Sequence, residues 1–206
     1  MTVSGIFPRP IYSASIGRNF TNREMVLVAV DSEDLVANVG NMISKDSYIL
    51  ERPLMKTLKG EIENHLSIFF NALYKPKNDV GIYVTQSWIN YTYPGQGHHS
   101  HLHENSFFSG VLYISAEAEA DSITFVTKNN SFIKINSLEQ NEYNSNVFNF
   151  PVGSGDIIIF PSDMTHQVGV TSTKRNTTRV SLAFNSFIFG DIGDEMQKTA
   201  LRLIKA

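Results

Sequence analysis

Cysteine is missing from this 206-residue chain, so disulfide frameworks, thiolate metal sites and a cysteine nucleophile are excluded. Charge is also sparse, with 18% charged residues and a formal net charge of −3. That balance provides no general basic footprint, so a nucleic-acid partner is not expected. No apolar run approaches a membrane span. The N-terminal "MTVSGIFPRPIYSASIGRNF" lacks the basic-then-apolar order of a signal peptide. The expectation is a cytoplasmic protein with no membrane partner. On that reading "NFT", "NYT" and "NTT" are chance matches to the glycosylation tripeptide, which needs a secretory context. Apolar residues make up 42%, enough for one good-sized core.

The chain changes texture near its middle. "DSEDLVANVGNMIS", residues 31–44, opens with capping residues and reads as a short helix. "RPLMKTLKGEIENHLSIFFNALYKP" carries Leu54, Leu58, Ile62, Leu66, Phe69 and Leu73 at helical spacing. Pro53 near its start and Pro76 past its end mark the boundaries. His65 lies beside this face and reads as a packed or surface helix histidine. From residue 81 onward "GIYVTQSWINY", "SGVLYIS", "DSITFV", "GDIIIF", "HQVGV" and "TRVSLAFNSFIF" are short, β-branched and aromatic, with turn residues between them. Helices first and strands afterwards imply an α+β fold, mainly β. There is no internal repeat or linker. The expected organisation is therefore one domain over 1–206: a mainly helical support region at 1–80, a strand core at 81–190, and a tail at 191–206 that reads as a last short helix.

Four of the six histidines fall within "HHSHLH", residues 98–103. On an extended strand, residues two apart share a face, so His101 and His103 would both reach one ion of an imidazole-preferring metal. His98 and His99 follow "YPGQG" and read as loop residues at a pocket mouth, with substrate contact as the alternative. A lone His-x-His pair is a weak signal. His166, 63 residues after His103, strengthens it: a turn, a buried strand and a proline break lead to a histidine opening the next strand. Bringing it back to the first two makes a facial triad on paired sheets. Thirteen residues later Arg179 and Ser181 share one strand face in "RVSLAFN". A guanidinium fork there suits a carboxylate.

The order His-x-acceptor, late His, then Arg-x-Ser resembles the iron(II)- and 2-oxoglutarate-dependent dioxygenase superfamily. Within it the chain is most similar to uncharacterised oxygenases of marine bacteria and their tailed phages. The pieces that carry the likeness are His-x-His followed by "NSFFSGVLYI", then "GDIIIFPS…H" and "R.S..FN". "YPGQG" also resembles prolyl-hydroxylase-type members. The resemblance covers about residues 81–190 and is specific as a set. It implies a double-stranded β-helix, jelly-roll and cupin-like, with the N-terminal helices packed on one sheet. It further implies Fe(II) and 2-oxoglutarate as cofactors, with molecular oxygen and a small-molecule or peptidyl substrate as partners. The activity it implies couples oxidative decarboxylation of 2-oxoglutarate to C–H hydroxylation.

Carried over by residue, the resemblance makes His101, His103 and His166 the catalytic metal set. His103 falls where most of the superfamily has aspartate or glutamate. Arg179, with Ser181 beside it, matches the binder of the distal carboxylate of 2-oxoglutarate. Tyr93, Tyr113, Asn90 and Asn185 match positions lining the cosubstrate pocket. Three neutral imidazoles leave Fe(II) with both its positive charges, which a 2-oxoglutarate dianion would neutralise; the change bears on redox potential and metal preference. Glu104 or Asp163 would be needed to restore a carboxylate. Trp88 reads as packing and Lys174 as solvated; Arg175 is the fallback carboxylate binder. Two other readings compete: a cupin-type metalloprotein that needs no 2-oxoglutarate, and a non-catalytic jelly-roll binding or virion protein.

Overall fold

The structure is a computed structural model and describes residues 5–127, 133, 135–174 and 176–202. The chain opens with strand β1 (Tyr12–Ser15), then helix α1 (Asn22–Asp31), strands β2 (Leu35–Ala37) and β3 (Met42–Ser44), and helix α2 (Lys56–Tyr74). The strand-rich part follows as β4 (Val80–Thr92), β5 (His98–His101), β6 (Phe108–Ser115), β7 (Ser122–Val126) and β8 (Val147–Pro151). It ends with β9 (Asp156–Pro161), β10 (His166–Val168), β11 (Arg179–Ile192) and β12 (Thr199–Leu201).

Two antiparallel sheets form the double-stranded β-helix. The major sheet runs β1-β9-β6-β11-β4-β3-β2, with β12 pairing β11, and the minor sheet runs β5-β10-β7-β8. Period-2 alternation divides each major strand between two surroundings. Ile89, Leu112, Ile157, Ile159, Leu182 and Phe184 face the helical side, packing with Leu58, Ile62, Leu66 and Phe69 of α2. Tyr113, Ile158 and Phe160 point the other way and meet Ile123 and Phe125 of the minor sheet. The buried face of α2 is close to the expected stripe, but Met55 and Phe70 are buried while Leu54 and Leu73 are substantially exposed. Lys75, in the left-handed region at φ 41°, ends the helix just before Pro76. His65 sits on α2 with its Nδ1 2.7 Å from the Tyr12 hydroxyl, which ties β1 to the helix.

Three local expectations are corrected. Residues 31–44 do not form a helix: their first residue ends α1, and β2 and β3 form a hairpin turned through Asn38–Asn41. The helix lies earlier because Thr21 and Glu24 close a capping box at its start, which satisfies two otherwise unpaired backbone donors. The 191–206 tail is not a helix in its described part. Asp194 accepts the backbone N–H groups of Met196 and Gln197 at 3.1 Å, so it caps a turn, and the chain returns as β12 along Gly190–Ile192. His98 and His99 lie in β5 rather than a loop.

Candidate functional site

The histidines converge on the minor sheet. β10 pairs with β5 so that His166 stands directly opposite His101, with ring centroids 4.4 Å apart. β5 ends at His101, so the expectation of one strand carrying His101 and His103 is corrected. His103 lies just beyond, its backbone N–H donating to the Ser162 carbonyl at 3.0 Å. Its ring stacks on His166 at 5.1 Å and 17°. One ligand nitrogen from each of His101, His103 and His166 lies within 4.8 Å of the others, a spacing that one ion could span.

The ring protons are placed for that purpose. His101 Nδ1 donates to the His99 carbonyl at 2.8 Å and His166 Nδ1 to the Met164 carbonyl at 3.0 Å. Each therefore keeps Nε2 as a free lone pair, the usual arrangement of a metal-binding histidine. Burial pushes His103 down to about 3 and His166 to about 4, with neighbouring imidazoles adding to the effect, and lowers His101 as well. All three are neutral near pH 7, as metal ligation requires.

The facing wall belongs to the major sheet. Ser181 on β11 pairs with Asn90 on β4 and Tyr113 on β6, and all three line the cavity with Arg179 and Trp88. Alternation explains the set: Arg179 and Ser181, like Trp88 and Asn90, are two apart on their strands. Arg179 is only 3% exposed, and its guanidinium carbon lies 5.1 Å above the Tyr113 ring. Among the described residues Arg179 has no acidic partner, and its Nε and the Tyr113 hydroxyl are buried without hydrogen-bond partners. Burial raises the Tyr113 hydroxyl pKa, against the opposing charge of Arg179. An unpaired buried cation is expensive. A carboxylate entering the cavity would complete it, so these residues fit an anionic cosubstrate beside a metal.

Not every expected residue reaches the cavity. Tyr93 is 38% exposed in the turn after β4 and lies outside the lining residues. Asn185 is occupied elsewhere: it accepts from the Ser109 hydroxyl at 2.9 Å and donates to Gln86 at 3.0 Å. Glu104 is exposed, and Asp163 forms an exposed ion pair with Arg9. Neither joins the histidine cluster among the described residues. Lys174 is exposed, and Arg175 lies outside the described residues. Trp88, expected as packing, His98, expected at the pocket mouth, and Asn41, not singled out, all line the cavity. Trp88 lies 5.7 Å from the His103 ring. His98 lines the cavity and is pushed down to about 3, first by burial. Asn41 reaches in from the β2–β3 turn and donates to Asn90 at 3.2 Å. Alternation along β4 could have found Trp88, since Asn90 was already singled out; nothing in the sequence pointed to Asn41.

A cluster of neutral imidazoles opposite a buried cation with no acidic partner among the described residues, inside a double-stranded β-helix, would suit a metal-dependent enzyme that takes an acidic co-ligand. Comparison with known proteins narrows the class. Residues 86–185, which contain every cavity group named above except Asn41, match the family described as "Putative 2OG-Fe(II) oxygenase". That match spans 100 of the chain's 206 residues, and over it the chain is similar to the iron(II)- and 2-oxoglutarate-dependent oxygenases, whose two cofactors the cavity residues above would fit. No curated protein matches the sequence. Among solved structures it is similar to a Pseudomonas putida prolyl-4-hydroxylase, with 12% identity, TM-score 0.54, and coverage of 86% of this chain and 92% of that one. HygX from Streptomyces hygroscopicus, solved with nickel, 2-oxoglutarate and hygromycin B, is similar at 12% identity and TM-score 0.54, covering 86% and 82%. SnoN, an epimerase of nogalamycin biosynthesis, matches at 10% identity and TM-score 0.57, covering 86% and 78%. At these identities the structural likeness speaks for the fold.

Proposed function

We propose that this chain is an iron(II)- and 2-oxoglutarate-dependent oxygenase, and a hydroxylase of a small-molecule or peptidyl substrate, in which His101, His103 and His166 hold Fe(II). Arg179 then binds the distal carboxylate of 2-oxoglutarate, Ser181 supports it, and Tyr113 and Asn90 line the same pocket. The observation that carries the assignment is Arg179, buried at 3% exposure and lacking an acidic partner among the described residues. Charge-assisted bonds from a guanidinium contribute roughly 1.5–3 kcal/mol each, and a dianion would provide the missing acceptor. With molecular oxygen as the oxidant, bound iron and 2-oxoglutarate would couple loss of CO2 from the oxo acid to hydroxylation of a substrate C–H bond, one oxygen atom going to succinate and the other to the product. The residues themselves orient and shield. Trp88, Val111 and Ile123 give the cavity apolar walls, and the histidine tautomers keep the lone pairs aimed. Hydroxylation is favoured by the likeness to a prolyl-4-hydroxylase; the likeness to an epimerase makes a different outcome at the same carbon the competing result.

The test is anaerobic addition of Fe(II) and 2-oxoglutarate, followed by succinate release against substrate pools in air. A visible metal-to-ligand charge-transfer band that needs both components, and that is lost in Arg179→Ala, is the expected result. A metal-binding chain that gives neither band nor succinate would sink the proposal. A second reading, a cupin-type enzyme without 2-oxoglutarate, is favoured by the three-histidine set, which no carboxylate joins among the described residues. It requires Arg179→Ala to leave activity intact.

A further inference from the structure

His101 belongs to two clusters. Besides the inner set with His103 and His166, one ligand nitrogen from each of His98, His99 and His101 also lies within 4.8 Å of the others. This outer set sits on β5 itself, with ring centroids 4.4 Å apart for His98 and His101 and 4.8 Å for His99 and His101. His99 is exposed, whereas His166 of the inner set is 4% exposed, so the outer set stands nearer to solvent. His99 Nδ1 donates to the Val39 carbonyl at 3.3 Å, leaving Nε2 free. His101 has only Nε2 to offer, because Nδ1 carries the proton held by the His99 carbonyl. One lone pair serves one ion.

We propose that His98, His99 and His101 form a second, outer position for an imidazole-binding divalent ion, and that occupying it excludes the inner position. The exclusion rests on the inner histidines being the iron position proposed above; the outer position does not. Three imidazoles suit zinc, copper or nickel as well as iron. The outer position is the weaker one for a stated reason. The Asn38 side-chain amide nitrogen lies 3.1 Å from His98 Nε2 and 3.1 Å from Asn41 Oδ1. The Asn41 contact fixes that end of Asn38 as the donor, so His98 Nε2 accepts from it. An ion taken by His98 Nε2 must displace this hydrogen bond. In the inner set, backbone carbonyls hold His101 and His166 through their other nitrogens and nothing need be broken. Asn38 therefore guards His98 against metal, and an ion that settles outside withdraws His101 from the inner set.

Zinc binding, measured by competition with a chromophoric chelator and by metal content after desalting, tests this directly. Wild type should hold one Zn²⁺, and His98→Ala/His99→Ala should also hold one. His103→Ala/His166→Ala should still hold one, roughly tenfold or more weaker, and Asn38→Ala in that background should tighten it. His101→Ala should lose both positions. A wild-type chain holding two ions overturns the exclusion, and a folded His103→Ala/His166→Ala chain that binds none overturns the outer position. Failure of the iron assignment looks different: the outer-deleted chain would be the one that loses zinc. If the inner double variant folds poorly by circular dichroism, Co²⁺-loaded wild type and His99→Ala decide the matter. Excess Zn²⁺ should abolish the Co²⁺ visible bands several-fold faster in wild type, and equal rates overturn the proposal.

Discussion

At the scale of single residues, Arg179 carries the sharpest consequence. It is 3% exposed, and among the described residues neither its Nε nor the Tyr113 hydroxyl beside it has a hydrogen-bond partner. Replacing it by alanine removes the cation from the cavity without touching the imidazoles. Losing charge-assisted bonds worth roughly 1.5–3 kcal/mol corresponds to about 10- to 150-fold weaker binding of 2-oxoglutarate. Calorimetric titration of the metal-loaded chain should show that loss in Arg179→Ala, with metal affinity unchanged. Arg179→Lys should recover only part of it, since an ammonium lacks the planar fork. Unchanged 2-oxoglutarate affinity in Arg179→Ala would remove this residue from the site. The place of Arg179 in the cavity wall was legible because Arg-x-Ser sits on an alternating strand. Tyr93 and Asn185 lie outside the cavity lining for the complementary reason: Tyr93 falls past the end of the ladder, and Asn185 is bonded to Ser109 and Gln86.

At the scale of elements, close packing and capping set what can change. Gly110 on β6 faces the helical core, and a Cβ there would lie 2.2 Å from Cζ of Phe184 and 2.9 Å from the Ile158 carbonyl. Gly110→Ala should therefore destabilise the fold by about 1–3 kcal/mol or more, measured by urea denaturation; a loss within error would mean that the β6–β9 ladder gives way freely. The start of α1 predicts a pH effect. Glu24 is 2% exposed. Burial pushes its pKa up, but hydrogen bonds from Arg18 and Thr21 outweigh this and leave it below the ordinary carboxylate value. A depressed folded-state pKa contributes stability that is present above the unfolded value near ~4.3 and lost as pH falls through the folded value. The gap in Tm between wild type and Glu24→Gln should be full at pH 6 and shrink steadily below pH ~4; a gap that does not vary with pH would contradict the ion-pair account. The same element marks the limit of the sequence reading. α2 and the long strands were legible because their period is strong and their ends carry Pro or Gly. α1 was hidden by its valines, which disfavour helix, and its Thr-x-x-Glu box was overlooked. The hairpin that replaced the expected helix turns on Asn38–Asn41, where Gly40 has φ +95° and an added Cβ would lie 2.7 Å from the Gly97 carbonyl. That contact depends on a partner 57 residues away in sequence, which no local pattern reveals. It is also what delivers Asn38 to His98.

At the scale of the molecule, the two halves of the site lie on different sheets. His101 and His166 ride on β5 and β10 of the minor sheet, with His103 just beyond β5, whereas Arg179, Ser181 and Tyr113 ride on β11 and β6 of the major one. Between them the inner core is modest, built around Tyr113, Ile123, Phe125, Val152, Ile158 and Phe160, while α2 and the major sheet hold a much larger cluster. The minor sheet is thus the less securely fastened layer. A ligand that touches a metal on one sheet and Arg179 on the other would fasten the two together. Binding to the folded state alone adds RT ln(1 + [L]/Kd), about 2.7 kcal/mol at a hundredfold excess over Kd. In a thermal melt under anaerobic conditions, Fe(II) should raise Tm, and 2-oxoglutarate should raise it further only when metal is present. In Arg179→Ala the metal increment should remain and the second increment should vanish. Hydrogen exchange adds a spatial readout: protection gained on adding 2-oxoglutarate to the metal-loaded chain should appear in β5, β7 and β10 and leave α2 unchanged. No protection gained in β5, β7 and β10, or a cosubstrate increment surviving in Arg179→Ala, would mean that the dianion is held by one sheet alone.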